Sequence, residues 1–409
     1  MNGPRPLFAS LCVASFCWLC SAAAQETPNR SFIISVRDGR VSLRARGADL
    51  AEVLEDLSKK AGFTLAFYER PALPLSAEME GIPVEDCLKK ILPSYSLEYR
   101  KKAGEAPVLS RVAVFRVRPL ARLPAPSSGI TVSYGNRPDQ LGAVNVQGVE
   151  RQGPASFAVD GQGNIYVCDT VNGRIKAFSP EGKMIREIAA TGAVTDLALD
   201  GEGNIHLLDS REGRVSAYDP AGKSLGSFSL PPEILSQTQN LRLAKDRVVL
   251  VGRDQEEFDV ESLEKGELKK REKIAVSKGL TAESGKSYTA LKVSDALAEL
   301  EIGGGEEKRT VGLPLPRLAS IAFLGEDGSG NVYLQVEQSR EKGPGVDLGV
   351  IKLDPEMNPI AMIEKIPNNY SNWTARLLQV NRAGDVFQML PGPDGVALNR
   401  WNWERKGER

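Results

Sequence analysis

One histidine, His206, is present in the chain, so any imidazole chemistry has to be built on it. Inside an apolar strand run, a lone histidine is expected to be a packed or hydrogen-bonded core residue rather than a catalytic base. A histidine-rich metal site is excluded, and no cysteine cluster has zinc spacing. The run Gly303-Gly304-Gly305 does not follow a strand in the way a phosphate-cradling loop requires. An Asp-x-Asp-Gly calcium loop is also missing. These residue types point to no catalytic residue, no metal ligand and no cofactor. The polar side chains that recur at fixed spacing are Asp169 with Arg174 and Asp209 with Arg214. Each pair brackets a short loop between two strands, so cross-strand ion pairs are expected. If those loops line one end of the molecule, Asp169, Arg174, Asp209 and Arg214 form a candidate binding rim. Tyr166 and His206, which occupy one equivalent position, complete it.

That equivalence comes from a repeat. DGQGNIYVCDTVNGRIKAFSPEGK, starting at Asp160, is followed 40 residues later by DGEGNIHLLDSREGRVSAYDPAGK, starting at Asp200. Twelve of the 24 aligned positions are identical, which makes the repeat secure. Each copy reads as a four-stranded antiparallel meander with Gly/Asn turns and a Pro-x-Gly turn. A carboxylate at the turn start, as at Asp160 and Asp200, is expected to bind nearby backbone amides. One meander cannot bury both faces alone, and stacking neighbours around an axis does so. Fainter copies follow, giving six units at about 153–190, 192–230, 238–276, 285–313, 317–365 and 372–405. The isolated strand GITVSY, from Gly129 to Tyr134, is expected to close the ring against the last unit. The charged stretch from Glu256 to Lys286 is expected to be a solvated outer strand or loop.

Ahead of the repeats the chain divides into three parts. Residues 1–24 read as a secretory signal peptide: Arg5, an apolar run from Leu7 to Cys20, and Ala22-Ala23-Ala24 before the expected cut. Residues 31–119 follow the order ββαββαββ, a compact α+β unit. Asp49 is the expected N-cap of its first helix, Gly62 the stop, and Pro83 a first-turn residue of the second. Residues 120–129, rich in proline and serine, are expected to be an extended linker, with 130–409 as the repeat region. Cys87 and Cys168 are the cysteines left after leader removal and are expected to be buried thiols. The net charge of -1 argues against a general nucleic-acid binder, and no later segment is apolar enough to span a bilayer.

The phrase FAVDGQGNIYVCDTVNGRIKAFSPEGK resembles an NHL repeat through Asp160, Gly163, Asn164, Tyr166, Val167, Asp169, Asn172, Arg174 and Ile175. VSLRARGADLAEVLEDLSKKAGFTLAF with GIPVEDCLKKILPSYSLEYR resembles the short N-terminal domain of secretins and TonB-dependent transducers. Together the resemblances imply a mainly β chain: a six-bladed NHL-like β-propeller preceded by a small α+β secretin N-terminal-like domain. They imply an exported, periplasmic or secreted, non-catalytic binding or scaffold protein of the bacterial cell envelope. Its residues 31–119 would dock to an envelope protein, and its propeller would bind a protein, peptide or glycan. The alternative is a lyase- or lactonase-type propeller enzyme with a metal in the central channel.

Overall fold

The computed structural model describes residues 31–101, 106–115, 120–123, 125–190, 193–245, 247–304 and 307–403. The expected signal peptide lies outside the described residues. The N-terminal unit has the expected order: β1 (Phe32–Arg37), β2 (Arg40–Asp49), α1 (Leu50–Ala61), β3 (Thr64–Phe67), β4 (Pro74–Pro83), α2 (Val84–Ile91), β5 (Tyr95–Arg100) and β6 (Val108–Val114). Asp38 and Gly39 both take positive φ, as a two-residue hairpin turn demands. The Asp49 carboxylate accepts the Ala51 N–H at 2.8 Å and so caps α1. Gly62 ends the helix with φ of 80°. Pro83 is the N-cap of α2 and the last residue of β4, not a first-turn residue, because its fixed φ also suits a strand end. The apolar faces of both helices close over β1, β2 and β4 to make one core, which includes Leu54, Leu57, Cys87 and Leu88.

Six antiparallel sheets follow, with their strands within 157–189, 196–229, 238–278, 280–314, 318–366 and 378–401. The third and fourth lack the turn motif yet are regular four-stranded meanders. The segment inserted after the fifth sheet's second strand lengthens a hairpin, Val332–Ser339 against Val346–Leu353. Apolar clusters lie between successive sheets. One joins Ala158 and Ile175 to Leu197 and Leu207, and another joins Tyr333 and Val350 to Leu378 and Trp401. Burial between sheets is therefore what holds the stack together. Polar contacts link successive sheets, among them Ser156 with Asp196, Asp196 with Leu241, Glu257 with Thr281 and Ser284 with Glu326, and Val159 N–H donates to Gln379 Oε1 at 3.1 Å to join the two ends. The chain is a β-propeller.

Two segments depart from the expected division. In the stretch expected to be a linker, β7 (Ala121–Leu123) lies parallel to the last strand of the fifth sheet. β8 (Ser128–Ser133) completes the sixth sheet, from Arg400 opposite Ser128 to Gly395 opposite Ser133. The second departure is larger. Glu307–Pro314, the outer strand of the fourth sheet, pairs with β5 over Glu307–Arg100 to Gly312–Tyr95. β3, β6 and β5 thus extend a propeller sheet to seven strands. The β5 edge is satisfied within the chain. Glu299 anchors the junction: it accepts the Tyr95 hydroxyl at 2.6 Å and lies 3.1 Å from Lys89 Nζ.

Closure by β8 generates a test. Deleting residues 127–136 is expected to lower the melting temperature by about 10 °C or more, because the sixth sheet loses its outer strand. An unchanged melt would show that β8 does not hold the ring.

Candidate binding cavity

The six innermost strands and their turns surround an axial cavity of 670 Å³. Asp160, Asp200, Arg242, Glu283, Glu326 and Asn381 line it, one from each sheet. Three of the inner turns share one construction. Asp160 accepts Asn164 N–H at 2.9 Å and Asn164 Nδ2 at 2.8 Å; Asp200 with Asn204 and Asp327 with Asn331 repeat the ring. Gly163 takes φ of 85° there, which a side chain would disfavour. The aspartates have the structural role expected of them.

Deeper in, Asp196 is wholly buried. It accepts Ser156 Oγ from the first sheet, Leu241 N–H from the third at 2.6 Å, and Arg376 Nη2 from the sixth at 3.2 Å. Arg376 also donates to the Leu241 carbonyl. Every partner of this carboxylate is thus on a different sheet. Beside the lock, Arg242 lies over the Phe323 ring, 5.2 Å from its centroid. Burial pushes the Arg242 pKa down to about 10; Glu257 opposes the shift and Arg376 adds to it. Glu257 Oε1 is 3.5 Å from Arg242 Nη1, but its two oxygens already accept Thr281 N–H at 2.7 Å and Thr281 Oγ1 at 2.6 Å.

The candidate rim does not assemble at one place. Tyr166 lines the cavity. Asp169 and Arg174 sit at the far end of the same hairpin, paired at 2.8 Å as expected; Asp169 is buried and Arg174 is partly exposed. The Asp169 carboxylate also accepts Gly142 N–H at 2.6 Å. Lys176, fully buried, donates to the carbonyls of Arg137, Pro138 and Gln140. This trio holds segment 136–142 in place. The second expected pair does not form. Asp209 accepts Ala193, Arg211 and Glu212 N–H groups, and Arg214 turns to Glu212 at 3.1 Å. Loop amides offer Asp209 closer donors than the half-exposed guanidinium.

His206 is buried, as expected, between two carboxylates. Nδ1 lies 2.5 Å from Glu261 Oε1 of the third sheet and Nε2 lies 3.4 Å from Asp200 Oδ2. Burial works against the imidazolium, but Asp200 and Glu261 outweigh it and push the pKa up to about 9. The charged stretch from Glu256 is exposed along Glu267–Lys278, whereas Glu257, Asp259 and Glu261 face inward as partners for cations. Cys87 and Cys168 are both buried free thiols, and burial pushes the Cys87 pKa up to about 11.

Among the described residues, no group of three or more His, Cys, Asp or Glu side chains could hold a metal ion. Three of the cavity's five carboxylates are engaged elsewhere: Asp160 and Asp200 hold their turns, and Glu326 accepts Ser284 Oγ at 2.6 Å. Gly222-Lys223-Ser224-Leu225-Gly226 spells a nucleophile-elbow string, but Ser224 opens a strand after a tight turn. A nucleophile elbow leads from a strand into a helix.

Two outcomes are expected. Asp196→Ala should cost about 3–5 kcal/mol in urea unfolding, because Arg376 is left buried without its partner. For His206 the folded pKa is raised above the ordinary value of 6.5 to about 9. Its stabilisation is therefore full below about pH 6.5 and is lost as pH rises through about 9. The chain's single imidazole NMR signal should titrate near pH 9, and a midpoint at 6.5 would contradict the contacts with Asp200 and Glu261.

The NHL repeat family model matches residues 152–178. No curated protein matches the chain in sequence. Among solved structures, it is similar to virginiamycin B lyase from Staphylococcus aureus at 10% identity, covering 66% of this chain and 99% of that one with a TM-score of 0.36. It is also similar to a gluconolactonase from Xanthomonas campestris at 13% identity, covering 70% and 99%, with a TM-score of 0.36. The chain carries an NHL repeat within a β-propeller.

Proposed function

We propose that the chain is an exported, non-catalytic binding protein of the bacterial cell envelope. It is built as a six-bladed NHL-like propeller with a secretin/TonB-like domain over 31–119. The observation that carries this reading is the axial cavity. Strands and turns from all six sheets converge on a volume suited to a small ligand or a peptide or glycan end. Its polar groups are arginines and hydrogen-bonded carboxylates, which suit recognition better than metal-assisted hydrolysis or elimination. With β5 paired inside the chain, β1, β3 and β4 are the N-terminal unit's strands left at sheet ends. A terminal strand is the element that can add a partner's strand.

The test uses full-length protein purified from a bacterial periplasm. Metal well below one ion per chain, no turnover of lactones, and cross-links to an envelope protein mapping to β1, β3 or β4 are expected. Stoichiometric calcium or zinc together with lactone turnover would replace this reading with the enzymatic one.

A further inference from the structure

We propose that the axial cavity receives a ligand carboxylate on the guanidinium of Arg242, an inference that rests on the cavity being the binding site. An arginine carries five N–H donors in a planar fork. The Arg242 guanidinium makes no hydrogen bond with any described residue, and its Nη1 is buried without a partner. Its side chain is only 16% exposed, so bulk water does not substitute for one. The Glu257 contact at 3.5 Å is too long to be a hydrogen bond, and Thr281 occupies both Glu257 oxygens.

Arg376, which lines the same cavity, sets the contrast. It is tied to Asp196 and to the Leu241 carbonyl. Of these two guanidinium groups, one is locked and the other is held ready. Arg242 lies over the Phe323 ring, 5.2 Å from its centroid, and lines the cavity. Buried donors in native proteins are almost always satisfied, so a charged one left open inside a cavity marks where a ligand supplies the acceptor. A carboxylate matches the guanidinium fork with two parallel bonds. At the mouth, Glu202 and Glu283 present acceptors. They suit hydroxyl or ammonium groups at the ligand's other end. Amino acids, peptide C-termini and sugar acids share this chemistry.

Calorimetric titration of full-length protein against amino acids, dipeptides and uronic and aldonic acids, each beside its amide, tests the proposal. Acids should bind, and their amides should bind about tenfold to a hundredfold more weakly. Arg242→Met should lose a similar factor for the acid and none for the amide, while Arg242→Lys should retain part of the difference. The amino-acid and sugar-acid arms tell the two sources apart. If acids and amides bind alike, or if Arg242→Met binds acids as wild type does, the carboxylate anchor is wrong and cavity binding still stands. If no member binds, both fall. The acid-to-amide comparison needs only wild-type protein, so a poorly folded variant leaves it decisive.

Discussion

The ring depends on how Asp196 is satisfied. A carboxylate removed from water is costly unless each lone pair finds a donor. Asp196 meets that demand only when the first, second, third and sixth sheets all stand at their native spacing. Displacing any one of them leaves a charge or a donor bare. Apolar burial between neighbouring sheets tolerates sliding, because it has no direction. The axial ion pair does not, and so it fixes the spacing of the inner strands. That spacing sets the width of the cavity and brings Arg242 within reach of it.

The N-terminal unit is governed by a different constraint. A sheet edge exposes unpaired N–H and C=O groups. Here β5 and the outer strand of the fourth sheet cover each other, and Glu299 holds Tyr95 and Lys89 beside the seam. The two halves consequently share backbone hydrogen bonds rather than a linker-mediated contact. Proline and serine in 120–129 suited a tether, but β7 and β8 use the same extended backbone for pairing. Composition reports that a segment is extended and does not report what lies beside it.

Much of the scaffold was legible because it repeats. Sheet spacing, turn rings, the closing strand and the two helices each rested on a local pattern. The equivalence of Tyr166 and His206 carried more information than it first offered. At the matching position Tyr333 donates its hydroxyl to Asp327 Oδ2, and His206 contacts Asp200 Oδ2 in the same way. The axial groups were missed because they occur once each. Asp196 is the repeat equivalent of Ser156, and those two residues bond to each other across sheets. An aspartate replacing serine in an apolar strand was the available signal, as was arginine between Leu241 and Leu243. Neither signal says that residues 135 positions apart, Leu241 and Arg376, meet on one axis. That meeting follows from closing the ring.

The seam at β5 also imposes an order of events on a chain made from its N-terminus. β5 is complete at Arg100, whereas its partner begins at Glu307. For about two hundred residues of synthesis this edge has no native cover, and closing so large a loop is slow. An exposed edge in that interval can pair with another molecule instead. The nascent protein therefore has a long window of vulnerability that the finished one does not show, and any factor that shields an extended strand would act during it.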